Sequence, residues 1–176
     1  MTDKKLNDQE ALAAAIEMEE KGYNFFKDSA KKSKDNMARE VFDFLAGEEL
    51  KHIGAIKQFH KNFLAGKSSD MKVLIDGMKR PQGASPIDAL FAGLDKTAPT
   101  SGSDLDVYRF ALDFERRGEL FYRQAETDAV DPGAKKLYGF LIGEERSHFK
   151  IVESCLLYFE NPEEFFHQRE KWHVEG

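Results

Sequence analysis

The chain has 176 residues, of which 33% are charged and 41% hydrophobic, and its formal net charge is −6. This length suits one domain with a substantial core. The acidic balance and the lack of a basic block argue against a nucleic-acid partner, and no apolar run approaches the length of a membrane span.

The first residues of the chain and its cysteine content suggest the cellular compartment of the protein. Residues 1–5 lead into polar sequence rather than into the apolar core of a signal peptide. Cys155 is the only cysteine, so neither an intramolecular disulfide nor a Cys-x-x-Cys site can form. We therefore expect a reducing, cytoplasmic location and no association with membranes.

Apolar residues at steps of three and four predict two helices at 6–32 and 36–65, with Asp35 as the cap of the second. Because helical spacing dominates and strict alternation is scarce, we expect no sheet. Each predicted stripe also contains acidic or imidazole residues: Leu12, Ile16, Glu19, Tyr23 and Phe26 in the first helix, and Phe42, Leu45, Glu49, His52, Ile56, Phe59 and Phe63 in the second.

Residues 66–103 differ in composition, being rich in glycine, serine and proline. Within them, a short capped helix is predicted around 85–91. Two further long helices follow, at 104–129 with Ser103 or Asp104 as the cap, and at 132–160 after Asp131-Pro132. Asn161-Pro162 starts a short tail helix that reaches about Arg169.

These elements predict an all-α fold, a four-helix bundle in one domain spanning 1–176. Tight turns make antiparallel hairpins of 6–65 and 104–160. A helix of 28 residues is about 42 Å long, and the connector 66–103 has enough residues to run that length back. The result is one long crossover between helices two and three, followed by the short C-terminal helix.

The most informative feature is a repeat with an offset of 96 residues. Glu19 is followed by Glu49 and His52, and the same pattern recurs at Glu115, Glu145 and His148. Identities also fall at other repeat positions: Ala15/Ala111, Gly22/Gly118, Phe25/Phe121, Phe44/Phe140, Leu45/Leu141, Gly47/Gly143 and Glu48/Glu144. The two hairpins should therefore be related by an approximate two-fold axis.

Four carboxylates and two imidazoles on the apolar stripes predict a pair of divalent metal ions. Buried carboxylates without cations are costly, whereas two divalent ions balance four negative charges. Glu at i and His at i+3 share one helical face, so both can reach one ion. Oxygen and imidazole donors without thiolates favour iron, manganese or zinc.

The ligand pattern and its flanking residues resemble rubrerythrin, of the ferritin-like di-iron class. The resemblance covers roughly 10–160 and includes Gly22…Phe25-Phe26, Gly118…Phe121-Tyr122 and the Phe-Leu-x-Gly-Glu-Glu sequence before each histidine. It implies two iron ions, with Glu49 and Glu145 as bridges. The terminal ligands implied are Glu19 and His52 for one ion, and Glu115 and His148 for the other.

By the same resemblance, the protein would reduce hydrogen peroxide or dioxygen at this site. The family's archetype carries a rubredoxin-like Cys-x-x-Cys domain, which is missing from this sequence. An external donor, such as a rubredoxin-like protein or a reductase, is therefore expected. A homodimer, with or without exchange of hairpins, is implied by the family alone. Alternatives are an iron-binding or storage protein, manganese catalase-like chemistry and a bundle that only binds a partner.

For several residues near the predicted ligands, the sequence allows more than one role. The archetype has a further Glu one turn after the third-helix ligand, whereas this chain has Gly118 there, which questions a peroxidase assignment. Glu119 is a possible extra ligand, although a position at the rim is favoured. Glu48 and Glu144 lie about 100° off the ligand face, and face solvent or support the ligands. Tyr122 can hydrogen-bond a ligand, donate an electron or pack in the core.

Overall fold

The computed structural model describes residues 5–80, 91 and 105–174, with side chains through Arg169. Within these residues every regular element is an α-helix: α1 is Asp8–Lys32, α2 is Asn36–Leu64, α3 is Met71–Met78, α4 is Leu105–Asp128, α5 is Pro132–Glu160 and α6 is Pro162–Val174. The predicted all-α class is confirmed. No described helix has the length and apolarity needed to cross a bilayer.

Local side-chain chemistry sets most of the helix ends. Asn7 and Glu10 form a reciprocal capping box at the start of α1. As predicted, Asp35 accepts from the backbone of Ala38 to begin α2, and Asp131 accepts from Ala134 to begin α5. Helix α2 ends before Gly66, whose φ of 63° lies in the left-handed region that favours glycine.

The helices pack as two hairpins, α1 with α2 and α4 with α5, which meet through α1 against α4 and α2 against α5. The carboxylate of Asp8, at the start of α1, accepts from the backbone N–H groups of Val130 and Asp131, beyond the end of α4. These two helices are therefore antiparallel. Phe42 near the start of α2 lies 4.9 Å, between ring centroids, from Tyr108 near the start of α4. This proximity is the arrangement that a long crossover predicts.

Helix α3 was not predicted from the sequence. Asp70 caps it by accepting from Lys72 and Val73, and its buried Met78 joins the core between α2 and α5. A run of apolar residues at helical spacing could have revealed it: Met71, Leu74, Ile75 and Met78. The short helix predicted around 85–91 lies outside the described residues, except for the helical, buried Phe91.

The hydrophobic core is divided into two clusters. One contains Leu12, Ile56 and Leu137, towards the end of the bundle where α1 begins. The other contains Phe26, Phe42 and Val152, towards the opposite end. Between them lies a layer of buried polar side chains, and this layer contains the predicted metal ligands.

Candidate metal centre

All six predicted ligand residues lie in the polar layer, and none is more than 2% exposed. Four helices supply them, one each from α1 and α4 and two each from α2 and α5. They are Glu19, Glu49, His52, Glu115, Glu145 and His148. The four-helix origin follows from the repeat, because each hairpin brings one lone Glu and one Glu-x-x-His to the same level.

The Nδ1 atoms of both histidines face carboxylate oxygens. His52 Nδ1 lies 3.2 Å from Glu19 Oε2 and 3.4 Å from Glu49 Oε2. His148 Nδ1 lies 3.5 Å from Glu49 Oε1 and 3.6 Å from Glu115 Oε2. Glu49 thus presents one oxygen to each histidine, which is the placement required of a bridge between two ions. The two imidazole rings are nearly parallel, 5.4 Å apart between centroids and inclined by 17°.

The donor atoms of the six predicted ligands form two overlapping sets that fit divalent ions, and a third set joins the two histidines to Glu144. Within each set they lie within 4.8 Å of one another. Ligands about 2.0–2.2 Å from a common ion lie roughly 3.0–3.5 Å apart when they subtend near-tetrahedral or octahedral angles. The first set has four residues: Glu19, Glu49, His52 and Glu145. The second set has three: Glu49, Glu115 and His148.

Several buried donors in the polar layer have no hydrogen-bond partner among the described residues. These atoms are Glu49 Oε1, both carboxylate oxygens of Glu115, Glu145 Oε1 and both ring nitrogens of His148. An unpartnered buried polar atom costs about 1–3 kcal/mol, and more if it is charged. Because six such atoms converge in one place, the chemistry of the donor set fits cations better than it fits a protein-only network.

In the metal-free protein, burial has the largest effect on which carboxyl groups of the polar layer keep their protons. Burial is the largest cause that raises the pKa of Glu19, Glu115 and Glu145, and the charge of a neighbouring carboxylate adds to it. Burial also favours the neutral form of Glu49, but the neighbouring Glu19 and the close approach of the two imidazoles outweigh it and lower the pKa of Glu49. One ionised carboxylate thus lies at the centre of carboxyl groups that tend to keep their protons.

Tyr122 of α4 is fully buried and donates a hydrogen bond to Glu19 Oε1. Of the three roles considered from the sequence, the structure therefore shows the hydrogen bond to a predicted ligand. Burial, followed by the adjacent Glu19 carboxyl group, raises the pKa of Tyr122 well above its usual value. The hydroxyl consequently stays protonated and leaves Glu19 Oε2 to face His52.

Gly118 gives Glu145 the space it occupies. A Cβ atom at this position would lie 2.5 Å from Glu145 Oε2, closer than real contacts allow. The neighbouring Glu119 points elsewhere, pairing with Arg123 at 2.8 Å and with Arg146 at 2.7 Å. Its contacts match the rim position favoured from the sequence.

Arg80, which the sequence analysis missed, connects the second repeated carboxylate pair. Glu48 is buried, so the solvent-facing alternative was wrong for it, and it accepts from Arg80 Nε at 2.6 Å. Glu144 accepts from Arg80 Nη2 at 3.3 Å. Glu144 also lies near both histidines, but the guanidinium already neutralises it. This trio therefore borders the candidate metal site rather than forming another one.

Comparison with known proteins finds a family match for the first part of the chain. Residues 10–82 match the protein-family model described as Rubrerythrin. Neither the curated proteins nor the solved structures give a significant match. The matched range contains Glu19, Glu49 and His52, so the resemblance inferred from the motifs is confirmed there.

Proposed function

We propose, from the match of residues 10–82 to the Rubrerythrin family model, that this protein is a di-iron oxidoreductase that reduces hydrogen peroxide or dioxygen. The observation that carries this proposal is the convergence of four buried carboxylates and two imidazoles, with six donor atoms unpartnered among the described residues. Two iron ions bound there would supply two electrons to the oxidant. Manganese or zinc would fit the same donors.

In this proposal the first ion is held by Glu19 and His52 and the second by Glu115 and His148. Glu49 and Glu145 bridge them. The support for Glu49 is its two oxygens, each facing a different histidine. The support for Glu145 is that it belongs to the four-residue donor set with Glu19, Glu49 and His52. These three residues come from the other hairpin, whereas Glu115 comes from the same hairpin as Glu145.

The surrounding residues orient the ligands and keep water out. Tyr122 holds Glu19 Oε1 by its hydroxyl, which fixes the rotamer of that carboxylate. The apolar clusters on both sides of the polar layer exclude bulk water from the site. In a water-poor site of this kind, electrostatic interactions between ligands and ions are strengthened.

Reduction of peroxide to two waters consumes two electrons and two protons, so the site must be re-reduced after each turnover. Cys155 is the only cysteine among these 176 residues and is buried, so these residues cannot themselves bind a rubredoxin-like cluster. We therefore assign re-reduction to an external electron donor.

The decisive experiment compares Glu49→Gln and His148→Ala with the wild type. Both variants should lose metal by elemental analysis, and both should lose turnover with ferrous iron and peroxide. Glu17→Gln, on the exposed face of α1, is the matched control and should keep both. If either site variant retains full metal content and turnover, the assignment of the ligands is wrong.

A further comparison separates catalysis from storage. An enzyme should bind about two metal ions per bundle and turn over repeatedly when a reductant is supplied. A storage protein should instead form a large cage on size exclusion and take up many irons per chain. Faster oxidation of the ferrous protein by peroxide than by dioxygen would identify peroxide as the oxidant.

A further inference from the structure

Arg80 lies in the groove between α2 and α5, two residues after the buried Met78 of α3. It donates to Glu48 Oε2 at 2.6 Å, to Glu144 Oε2 at 3.3 Å and to Ser147 Oγ at 3.1 Å. Its guanidinium lies 5.4 Å from the ring centroid of Phe44. With a side chain only 19% exposed, Arg80 is a fixed part of this groove.

This single arginine makes a symmetric pair unequal. Glu48 and Glu144 occupy equivalent positions in the repeat, but the connector supplies only one guanidinium for both. Glu48 contacts both Arg80 and Lys51, and the Nζ atom of Lys51 lies 2.6 Å from Glu48 Oε1. Glu144, although it also contacts Arg80, keeps its Oε2 3.9 Å from His52 Nε2.

The two histidines consequently have different surroundings behind their metal-facing nitrogens. His52 Nε2 has the Glu144 carboxylate nearby, at a distance of electrostatic contact rather than of a full hydrogen bond. Glu144 also has a donor atom within 4.8 Å of one on His148, but His148 Nε2 is buried and has no hydrogen-bond partner in the described part of the chain. A carboxylate behind a ligating imidazole fixes its tautomer and strengthens it as a donor.

Two other differences point the same way. Tyr122 orients Glu19, whereas the equivalent position in the first hairpin is Phe26, which has no hydroxyl to offer Glu115. Both oxygens of Glu115 lack hydrogen-bond partners among the described residues. In addition, the set that joins His52 to carboxylates of the predicted ligands has four members, Glu145 among them, and the corresponding set with His148 has three.

We propose that Arg80 is a positioning residue that makes the two metal positions unequal by holding Glu144 against His52. The position formed by Glu19, Glu49, His52 and Glu145 takes the first ion. The position formed by Glu115 and His148, which shares the bridging Glu49 and Glu145, takes the second ion with lower affinity. This inference rests on the dinuclear site of the proposed function and adds the order in which that site fills.

The test is a titration of metal-free protein with Co²⁺, followed by calorimetry and visible absorption. Loss of an outer partner of a ligand typically lowers metal affinity by about 10–100-fold. The wild type should therefore bind two ions in two resolved steps with affinities at least about tenfold apart. Arg80→Ala should weaken the first step by about tenfold, leave the second nearly unchanged and alter the spectrum of the first ion.

Two further variants separate positioning from folding. Glu144→Gln keeps the side-chain shape but removes the charge behind His52, so it should weaken the first step as Arg80→Ala does. Because both act through His52, the double variant should be no worse than either single one. Arg80→Lys, a point charge without the guanidinium fork, should give an intermediate first step.

Lys79→Ala is the matched control, since Lys79 neighbours Arg80 but pairs with Asp76 at 2.9 Å, away from the metal centre. It should leave both steps unchanged. Two equal steps in the wild type, or equal weakening of both steps by Arg80→Ala, would overturn the proposed inequality while leaving the dinuclear site intact. Absence of Co²⁺ binding in every variant would instead overturn the dinuclear site and the inference with it.

Discussion

Replacing Gly118 by alanine tests the role of Glu145 without touching any proposed ligand. The new Cβ atom would begin 2.5 Å from Glu145 Oε2. Carbon–oxygen contacts settle at about 3.3–3.6 Å, so the carboxylate would have to retreat by roughly 1 Å. Metal sites accept deviations of only about 0.2 Å in ligand distance, so this displacement should remove Glu145 from its bridging position.

Gly118→Ala should lower the metal affinity of the protein while leaving its stability nearly unchanged. Alanine in place of glycine stabilises a helix by about 1 kcal/mol, which the displacement of Glu145 should largely offset in the metal-free protein. Zinc affinity, measured by competition with a chromophoric chelator, should fall at least about tenfold, or about 1.4 kcal/mol. Differential scanning calorimetry of the metal-free variant should show a Tm close to that of the wild type.

Gly143→Ala provides the control on the helix that carries Glu145. Apart from its chain neighbours and the backbone of its own helix, no described atom lies within 4 Å of the Cβ position at Gly143. This variant should therefore keep its zinc affinity and gain the helix stabilisation, which is about 2–4 °C in Tm for a chain of this size. Wild-type zinc binding by Gly118→Ala would refute the placement of Glu145 as a ligand.

Three other outcomes are expected. Tyr122→Phe should cost about 1–3 kcal/mol in urea denaturation of the metal-free protein, because Glu19 loses a buried donor; an unchanged free energy of unfolding would contradict that hydrogen bond. Asp131→Ala, which removes the cap of α5, should cost about 1 kcal/mol, whereas Asp113→Ala, which breaks only an exposed ion pair, should have little effect on Tm. Since burial raises the pKa of three site carboxyls in the folded state, their contribution to metal-free stability is complete below the unfolded pKa and declines as pH rises through the folded values. The Tm after metal removal should thus be lower at about pH 8 than at about pH 5, and the opposite order would show that these carboxyls are ionised in the folded apoprotein.

Much of the fold could be predicted because strong local signals mark the helix ends. Helix α5 has the predicted bounds, since a capping acid and proline precede it and Asn161-Pro162 follows it. Helix α1 starts two residues later than predicted because the Asn7–Glu10 capping box sets its first turn. The tail helix α6 continues past Arg169 to Val174, since no glycine or proline stops it there.

The site could be predicted as a set of residues but not as an arrangement. Repeat spacing places each lone Glu and each Glu-x-x-His on a buried face, and the structure brings all six together. The partner of Glu48 could not be predicted, because Arg80 is 32 residues away in a connector whose path depends on the packing of α3. Equivalent positions in a repeat also acquire different contacts when only one connector serves both.

The complete enclosure of the six ligands has a kinetic consequence. No side chain of the set is more than 2% exposed, so a hydrated ion cannot reach the donors while the helices stay packed. Entry must wait for local opening of the bundle, whose frequency depends on the free energy of that fluctuation. At high ion concentration the loading rate should reach a plateau set by opening alone, and mild denaturant should accelerate it.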